Sequence, residues 1–332
     1  MEINILKNKL FSNKNLTSDE SLYLFELIMT GALSEIDISA ILISLKVKGE
    51  TKDEILGAAK IMRSKSMKIF SSNNTVDTCG TGGDMSDTLN ISTAASLVAA
   101  SCGIKIAKHG NKSVSSKSGS ADMLENIGYK LSDDPKTLES QLEENNFCFM
   151  FAQYHHSAMK HVINVRKSLE TRTIFNLLGP LTNPANANYQ LLGVFDPKWI
   201  KIHCEVLKEL GSNHSMVVHG QDGLDEISLS APTKIAELKN GQITEYDFNP
   251  VDYGYEYINI SDILGKDSEY NALQFINMLN GSHKAFQHIV ELNSGAALYV
   301  GGKVKNLKEG FELSRYVIEN EISKKYLEKI IS

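Results

Sequence analysis

Between Ser18 and Met62 the apolar residues recur at helical spacing. Leu22, Phe25, Ile28 and Met29 share one face of a segment that Ser18 can cap and Gly31 ends. Ile38, Ile41, Leu42 and Leu45 mark a second helix, stopped by Gly49. Thr51-Lys-Asp-Glu54 is a capping box for a third, with Ile55, Ala58, Ala59 and Met62 on one face. No strand-like run interrupts residues 1–70. The pattern then changes. Thr75–Asp77 predicts a short strand entering a glycine-rich turn, Ile91–Ser101 a helix, Ile104–Ala107 a strand and Ser118–Asn126 a helix. A strand near Tyr129–Leu131, a helix over Pro135–Glu144 and a strand over Phe147–Ala152 continue the series. After a helix near His156–Leu169 and an irregular run from Asn176 to Pro184, strands Leu191–Phe195 and Met216–His219 flank a helix capped by Asp196, with Pro197 in its first turn. Ile235–Leu238 and Ile243–Tyr246 read as a hairpin through Asn240-Gly241, and the tail from Asn271 is mostly helical, ending in a helix over Leu313–Ile331. Strands alternating with helices predict a parallel sheet covered on both faces.

Composition narrows this without redirecting it. A chain of 332 residues carries a prior of about two domains. With 42% hydrophobic and 22% charged residues it is neither disordered nor of low complexity. The 34 Lys and Arg against 40 Asp and Glu leave a net charge of −6, which argues against a general nucleic-acid binder. Four cysteines, at 79, 102, 148 and 204, form no CxxC pair, so free thiols in a reducing compartment are expected. No secretory signal opens the chain, and the longest apolar stretch, Ile38–Leu45, is broken by Ser39 and Ser44. A cytoplasmic protein with no membrane partner is the expectation.

Candidate chemistry clusters in three places. Gly80, Gly82 and Gly83, between a strand and a helix, let the backbone curl so that its N–H groups meet an anion, although an ordinary tight turn fits equally. Asn90-Ile-Ser-Thr93 opens the next helix. Lys105 to Lys117 holds four lysines and no acid, with Ser113, Ser115 and Ser116 interleaved, as an extended phosphate requires. Gly119–Glu125 would add a helix N-terminus to the same site. Asp225-Glu226 follows a strand; adjacent carboxylates beside phosphates suit Mg²⁺, though such a pair alone is usually plain surface. Among His155, His156 and His161, helical geometry points neighbours apart, so a metal cluster is not expected; substrate-side packing is expected for His156 and surface roles for the others. Cys79 lacks an evident base and reads as a spectator.

Asp77–Asp84, Lys108–Ser116, Gly119–Glu125, the run Arg172-Thr-Ile-Phe-Asn-Leu-Leu-Gly-Pro-Leu-Thr-Asn-Pro184 and Asp222–Ser228 together resemble the anthranilate phosphoribosyltransferase family, in the family's order and over nearly the whole chain. The resemblance implies an α/β fold of the nucleoside phosphorylase type III kind: a small helical domain from residues 1–70 with 158–185, a larger α/β domain with a mostly parallel central sheet from 71–157 with 186–332, and a homodimer. It implies transfer of the phosphoribosyl group of 5-phosphoribosyl 1-diphosphate to anthranilate in tryptophan biosynthesis, with Mg²⁺. Gly80, Gly83, Asp84, Thr88, Asn90, Ile91, Ser92 and Thr93 would line the sugar-diphosphate site. Lys108, His109, Gly110, Asn111, Lys112, Ser113, Val114, Ser115, Ser116 and Ser120 would wrap the phosphates. Ser92, Asp225 and Glu226 would hold the metal; Gly80, Asn111 and Arg166 would take anthranilate. No acid or base is assigned, because an aromatic amine is already nucleophilic. Lys112 stands where the family usually has arginine, Ser157 and Asn164 where it has prolines, and Glu170 where it has glycine. A pyrimidine nucleoside phosphorylase shares the architecture, but Asp225-Glu226 and the 172–180 run speak against it. A catalytically silent relative that binds nucleic acid is disfavoured by the charge.

Overall fold

The computed structural model describes residues 2–71, 74–112 and 118–332. Four helices come first: α1 (Ile3–Phe11), α2 (Ser18–Met29), α3 (Glu35–Lys48) and α4 (Lys52–Lys65). α1 escaped the sequence reading because no side chain caps it. The cap of α2 is Thr17 rather than Ser18: Thr17 Oγ1 accepts the Glu20 N–H at 3.2 Å while Glu20 Oε2 accepts the Thr17 N–H at 2.9 Å. The Thr51–Glu54 box forms as expected, and Gly49 ends α3 at φ 86°. One ion pair is sealed inside this bundle. Lys48 Nζ lies 2.9 Å from Glu54 Oε2, with side chains 4% and 0% exposed, and the Leu16 and Thr51 N–H groups complete the carboxylate.

The alternating region follows as β1 (Thr75–Asp77), α5 (Ile91–Ser101), β2 (Lys105–Gly110), α6 (Ser120–Asn126), α7 (Pro135–Asn145), β3 (Phe147–Phe151), α8 (Ala152–His155), α9 (Ile163–Leu169), α10 (Phe175–Leu178), β4 (Tyr189–Gly193), α11 (Trp199–Glu209), β5 (His214–Gly220), β6 (Thr233–Lys239) and β7 (Gln242–Phe248). Helices α12 (Ser268–Leu279), α13 (Lys284–Val300), α14 (Leu307–Glu319) and α15 (Ile322–Ile331) finish the chain. The strand expected near Tyr129–Leu131 does not form. Tyr129 is buried as an anchor instead, its ring edge-on to Phe147 and its hydroxyl bonded to Gln141. The expected helix near His156–Leu169 is a 3₁₀ turn over Ser157–His161 followed by α9, and the expected final helix breaks at Glu321, φ 58°. Asp196 heads the turn before α11 rather than capping it, accepting the Lys198 N–H at 3.0 Å. Glu170, expected as glycine, closes α9 in the left-handed region at φ 45°.

The seven strands lie in the order β3-β2-β1-β4-β5-β6-β7, the first five parallel and the β6–β7 hairpin antiparallel at one edge. Alternation within each strand feeds two faces. Leu191, Met216 and Val218 join α5 and α13 on one side; Leu192, Val217 and Ala236 join α11 on the other. That second cluster runs without a break into α2 and α4 and takes in Val162, Val165, Ile174, Phe175 and Leu178. The chain moves outward from β1 to β3 and returns beside β1 as β4. A crevice therefore opens between the C-terminal ends of β1 and β4, where open α/β sheets place their ligands.

Candidate active site

Three loops meet at this crevice. The first leaves β1. Gly82 and Gly83 adopt φ 62° and 75°, the curl that the sequence suggested. It is stitched to β4 by the Thr81 N–H, which donates to Gly193 O at 2.9 Å, and by the Phe195 N–H, which donates to Thr81 Oγ1 at 3.0 Å. The second loop, between β5 and β6, carries Asp225 and Glu226. Asp225 Oδ2 accepts the Gly82 N–H at 2.7 Å and Glu226 Oε1 accepts the Ser92 N–H at 3.1 Å, at the first turn of α5. This carboxylate pair is therefore no surface pair. Gly193 permits the approach: a Cβ there would lie 1.5 Å from Asp225 O.

The third element is the end of β2. Lys108, 2% exposed, turns inward and donates to Thr78 O at 3.1 Å and Ser92 Oγ at 3.2 Å. Lys105 and Lys112 do not join it. Lys105 pairs with Glu143 at the far end of β2, and Lys112 Nζ meets Glu125 at 2.9 Å on the surface. The lysine-rich block is thus one crevice lysine and two surface pairs, with Ser113, Val114, Ser115, Ser116 and Lys117 outside the described residues. Gly110 leads into exposed Asn111, whose main-chain oxygen accepts from Ser120 Oγ at 3.2 Å, bringing the start of α6 to the same rim.

Asn90 spends its side chain differently from the capping role its position suggests. It bonds Ser118 and Asn271, tying α5, α6 and α12 together. Ile91 and Thr93 are buried supports, and Thr88 sits in a short bridge to Leu264. His109 is buried, its ring nitrogen Nδ1 3.2 Å from Gly179 O and its ring 5.2 Å from that of His156. Burial depresses both imidazoles, His156 to about 4, so both are neutral near pH 7. His155, expected on the surface, is buried as well, with Nδ1 2.8 Å from Met67 O. Burial also pushes the Cys79 thiol up, in keeping with a spectator. Arg166 stands on the helical side, partly buried under Phe175 at 5.7 Å from the ring centroid, and no hydrogen bond among the described residues links it to Gly80 or Asn111. Arg172, which heads the 172–184 run but carried no assigned role there, stacks on Phe195 at 4.2 Å and donates to Gly83 O, joining the 170–175 segment to the glycine loop. Its place in the Arg-Thr-Ile-Phe run was the available signal.

Electrostatics set the crevice apart. Burial first, then the neighbouring acids, pushes both Asp225 and Glu226 above the ordinary carboxylate range; Asp84 adds to the repulsion, while Lys108 and the Gly82 and Ser92 N–H groups oppose it. Asp84, Asp225 and Glu226, beside backbone N–H groups and a helix N-terminus, form a donor set suited to a hard divalent cation carried in with phosphate oxygens. No group of three or more His, Cys, Asp or Glu among the described residues makes a metal cage by itself.

Comparison with known proteins decides the family. A model described as the glycosyl transferase family a/b domain matches residues 72–321, and one described as that family's helical bundle domain matches residues 5–66. The anthranilate phosphoribosyltransferase of Petrotoga mobilis is 44% identical over 99% of this chain and 96% of its own, and that of a Marinomonas species 50% identical over 92% and 89%. This chain belongs to the anthranilate phosphoribosyltransferases. The crystal structure of the Thermus thermophilus family member superposes with a TM-score of 0.92 at 36% identity, covering 98% of both chains. The Saccharomyces cerevisiae family member, in complex with PRPP and Mg, gives 0.89 at 25% identity, covering 99% of this chain and 98% of its own.

Proposed function

We propose that the crevice binds 5-phosphoribosyl 1-diphosphate with Mg²⁺ and passes its phosphoribosyl group to anthranilate, giving N-(5-phosphoribosyl)anthranilate and diphosphate for tryptophan biosynthesis. The observation that carries this reading is the meeting of the glycine loop, the α5 N-terminus, Lys108 and the Asp225–Glu226 pair at one switch point. Gly80, Gly83, Asp84 and Thr88 line the sugar side; Asn90 to Thr93 and the segment from Lys108 to Ser116, with Ser120, receive the phosphates. Ser92, Asp225 and Glu226 hold the metal, which when bound neutralises diphosphate charge. Gly80, Asn111 and Arg166 take anthranilate, with Arg166 pairing the carboxylate.

The chemistry asks for little more. As diphosphate leaves C1, the ribose gains oxocarbenium character and the amine attacks from the opposite face with inversion, so positioning and charge neutralisation carry the rate. Lys108, beside Ser92 at the start of α5, faces the departing negative charge. The amine is nucleophilic without a base. Residues 1–70 with 158–185 serve as the small domain and the rest as the large one, with the crevice between them. Helices α1, α3 and α9 expose Ile5, Phe11, Ile36, Val47 and Ile163, Ile36 at 82% and Val47 at 80%, and such an apolar surface supports a homodimer through this face. No helix among the described residues is long and apolar enough to cross a membrane, and we place the enzyme in the cytoplasm.

The deciding measurement is anthranilate fluorescence. Emission should fall only when 5-phosphoribosyl 1-diphosphate and Mg²⁺ are both present. Phosphorolysis of thymidine or uridine without that fall would overturn the assignment.

A further inference from the structure

Helix α13 crosses beneath the crevice, and midway along it Asn293 is completely inaccessible. A primary amide at that depth is unfavourable unless its oxygen and both N–H groups find partners. They do. Asn293 Oδ1 accepts the Ile227 N–H at 3.0 Å, while Nδ2 donates to Ile227 O and to Ile289 O, each at 2.9 Å. One side chain thus takes both backbone groups of a residue 66 positions earlier, as a neighbouring strand would. Ile227 directly follows Glu226, and its own side chain is fully buried. On the other side of the pair, Asp222 accepts from Ser228 Oγ at 2.5 Å and from the Ser230 hydroxyl, closing the loop on itself.

The geometry points to Asn293 as the positioning residue of the carboxylate pair. Asp225 and Glu226 repel each other, and a loop free to relax would turn them apart. Clamping the peptide groups of Ile227 denies the loop that movement and keeps both carboxylates aimed into the crevice, ready for the cation that accompanies diphosphate. Groups that orient metal ligands typically tune affinity by about 10–100-fold. This inference rests on the reading of Asp225 and Glu226 as metal ligands.

The test is Mn²⁺ binding in the presence of diphosphate, followed by electron paramagnetic resonance, together with melting temperature and the anthranilate KM. Asn293→Ala should weaken Mn²⁺ binding by roughly 10–100-fold and leave the anthranilate KM unchanged. Ser294→Ala is the control for a merely structural effect. Ser294 Oγ bonds Val290 O and Ser314 Oγ, away from the loop, so its loss should lower the melting temperature without moving Mn²⁺ affinity. If Asn293→Ala does not fold, Asn293→Asp, which keeps an acceptor for the Ile227 N–H, should show the same weakening. If neither folds, the Ile227 amide of the unmodified protein should exchange slowly with solvent, and fast exchange would overturn the clamp. Unchanged Mn²⁺ affinity in a folded variant overturns the role of Asn293 while the metal reading stands. Absence of Mn²⁺ binding to the unmodified protein with diphosphate overturns both.

Discussion

In the helical bundle, Lys48 and Glu54 are buried side by side, charge against charge, with backbone N–H groups completing the carboxylate. In the crevice, Asp225 and Glu226 share the field of Asp84 on one hand and of Lys108 on the other, and the Lys108 ammonium is bonded to the neutral oxygens of Thr78 and Ser92. The same side-chain chemistry serves two purposes. A balanced pair needs nothing further and ties α3 to α4. An unbalanced group carries excess negative charge and is completed by a ligand that brings positive charge. Balance, rather than burial, separates the structural ion pair from the functional cluster.

Neutralising charge should therefore have opposite effects at the two places. The largest change is expected from Asp225→Asn with Glu226→Gln. Both replacements keep an acceptor for the Gly82 and Ser92 N–H groups, yet Mg²⁺-dependent turnover should fall by at least about 10²–10³-fold. In the same variant, without metal, the melting temperature should rise because the repulsion is gone. Retained turnover at low Mg²⁺ would remove the pair from the site. Next is Lys48→Met. It strands Glu54 as an uncompensated buried charge and should cost about 3–5 kcal/mol in urea denaturation while the folded fraction keeps its kcat. A neutral result would mean that Glu54 is held by its N–H partners alone. The smallest effect is expected from Arg166→Ala, which removes a partly buried cation with no acid beside it among the described residues. The anthranilate KM should rise by roughly 10- to 100-fold, in line with about 1.5–3 kcal/mol for a charged hydrogen bond. The KM for the sugar diphosphate should barely move; equal changes in both would make Arg166 a domain-interface residue.

Legibility in sequence followed the distance over which each feature is decided. The glycine curl, the Thr51–Glu54 box and the β6–β7 hairpin depend on neighbours within a few residues, and all three stand where the pattern put them. Tyr129–Leu131 misled because an apolar–polar–apolar triplet also fits a loop with one anchored aromatic ring. The lysine block misled because a charge run says nothing of direction: successive residues of β2 alternate faces, and among the described lysines of the block only Lys108 points into the crevice. The contact from Gly82 to Asp225 spans 143 residues and exists because β5 lies two strands from β1. No local pattern encodes that order; the family resemblance supplied the pairing of the two motifs. Asn293 gave no signal because a lone polar residue in an apolar helix looks the same whether it clamps a loop or a neighbouring turn.

The missing side chain at Gly193 reaches beyond packing. Main chain from the β5–β6 loop occupies the volume in which any Cβ at 193 would stand, so the end of one strand and the path of another loop are a single choice. Engineering usually treats the loops of an α/β sheet as exchangeable parts on a fixed frame. Here that licence stops at this pair: a grafted loop after β5 inherits a requirement written at the end of β4, and the two segments can be redesigned only together.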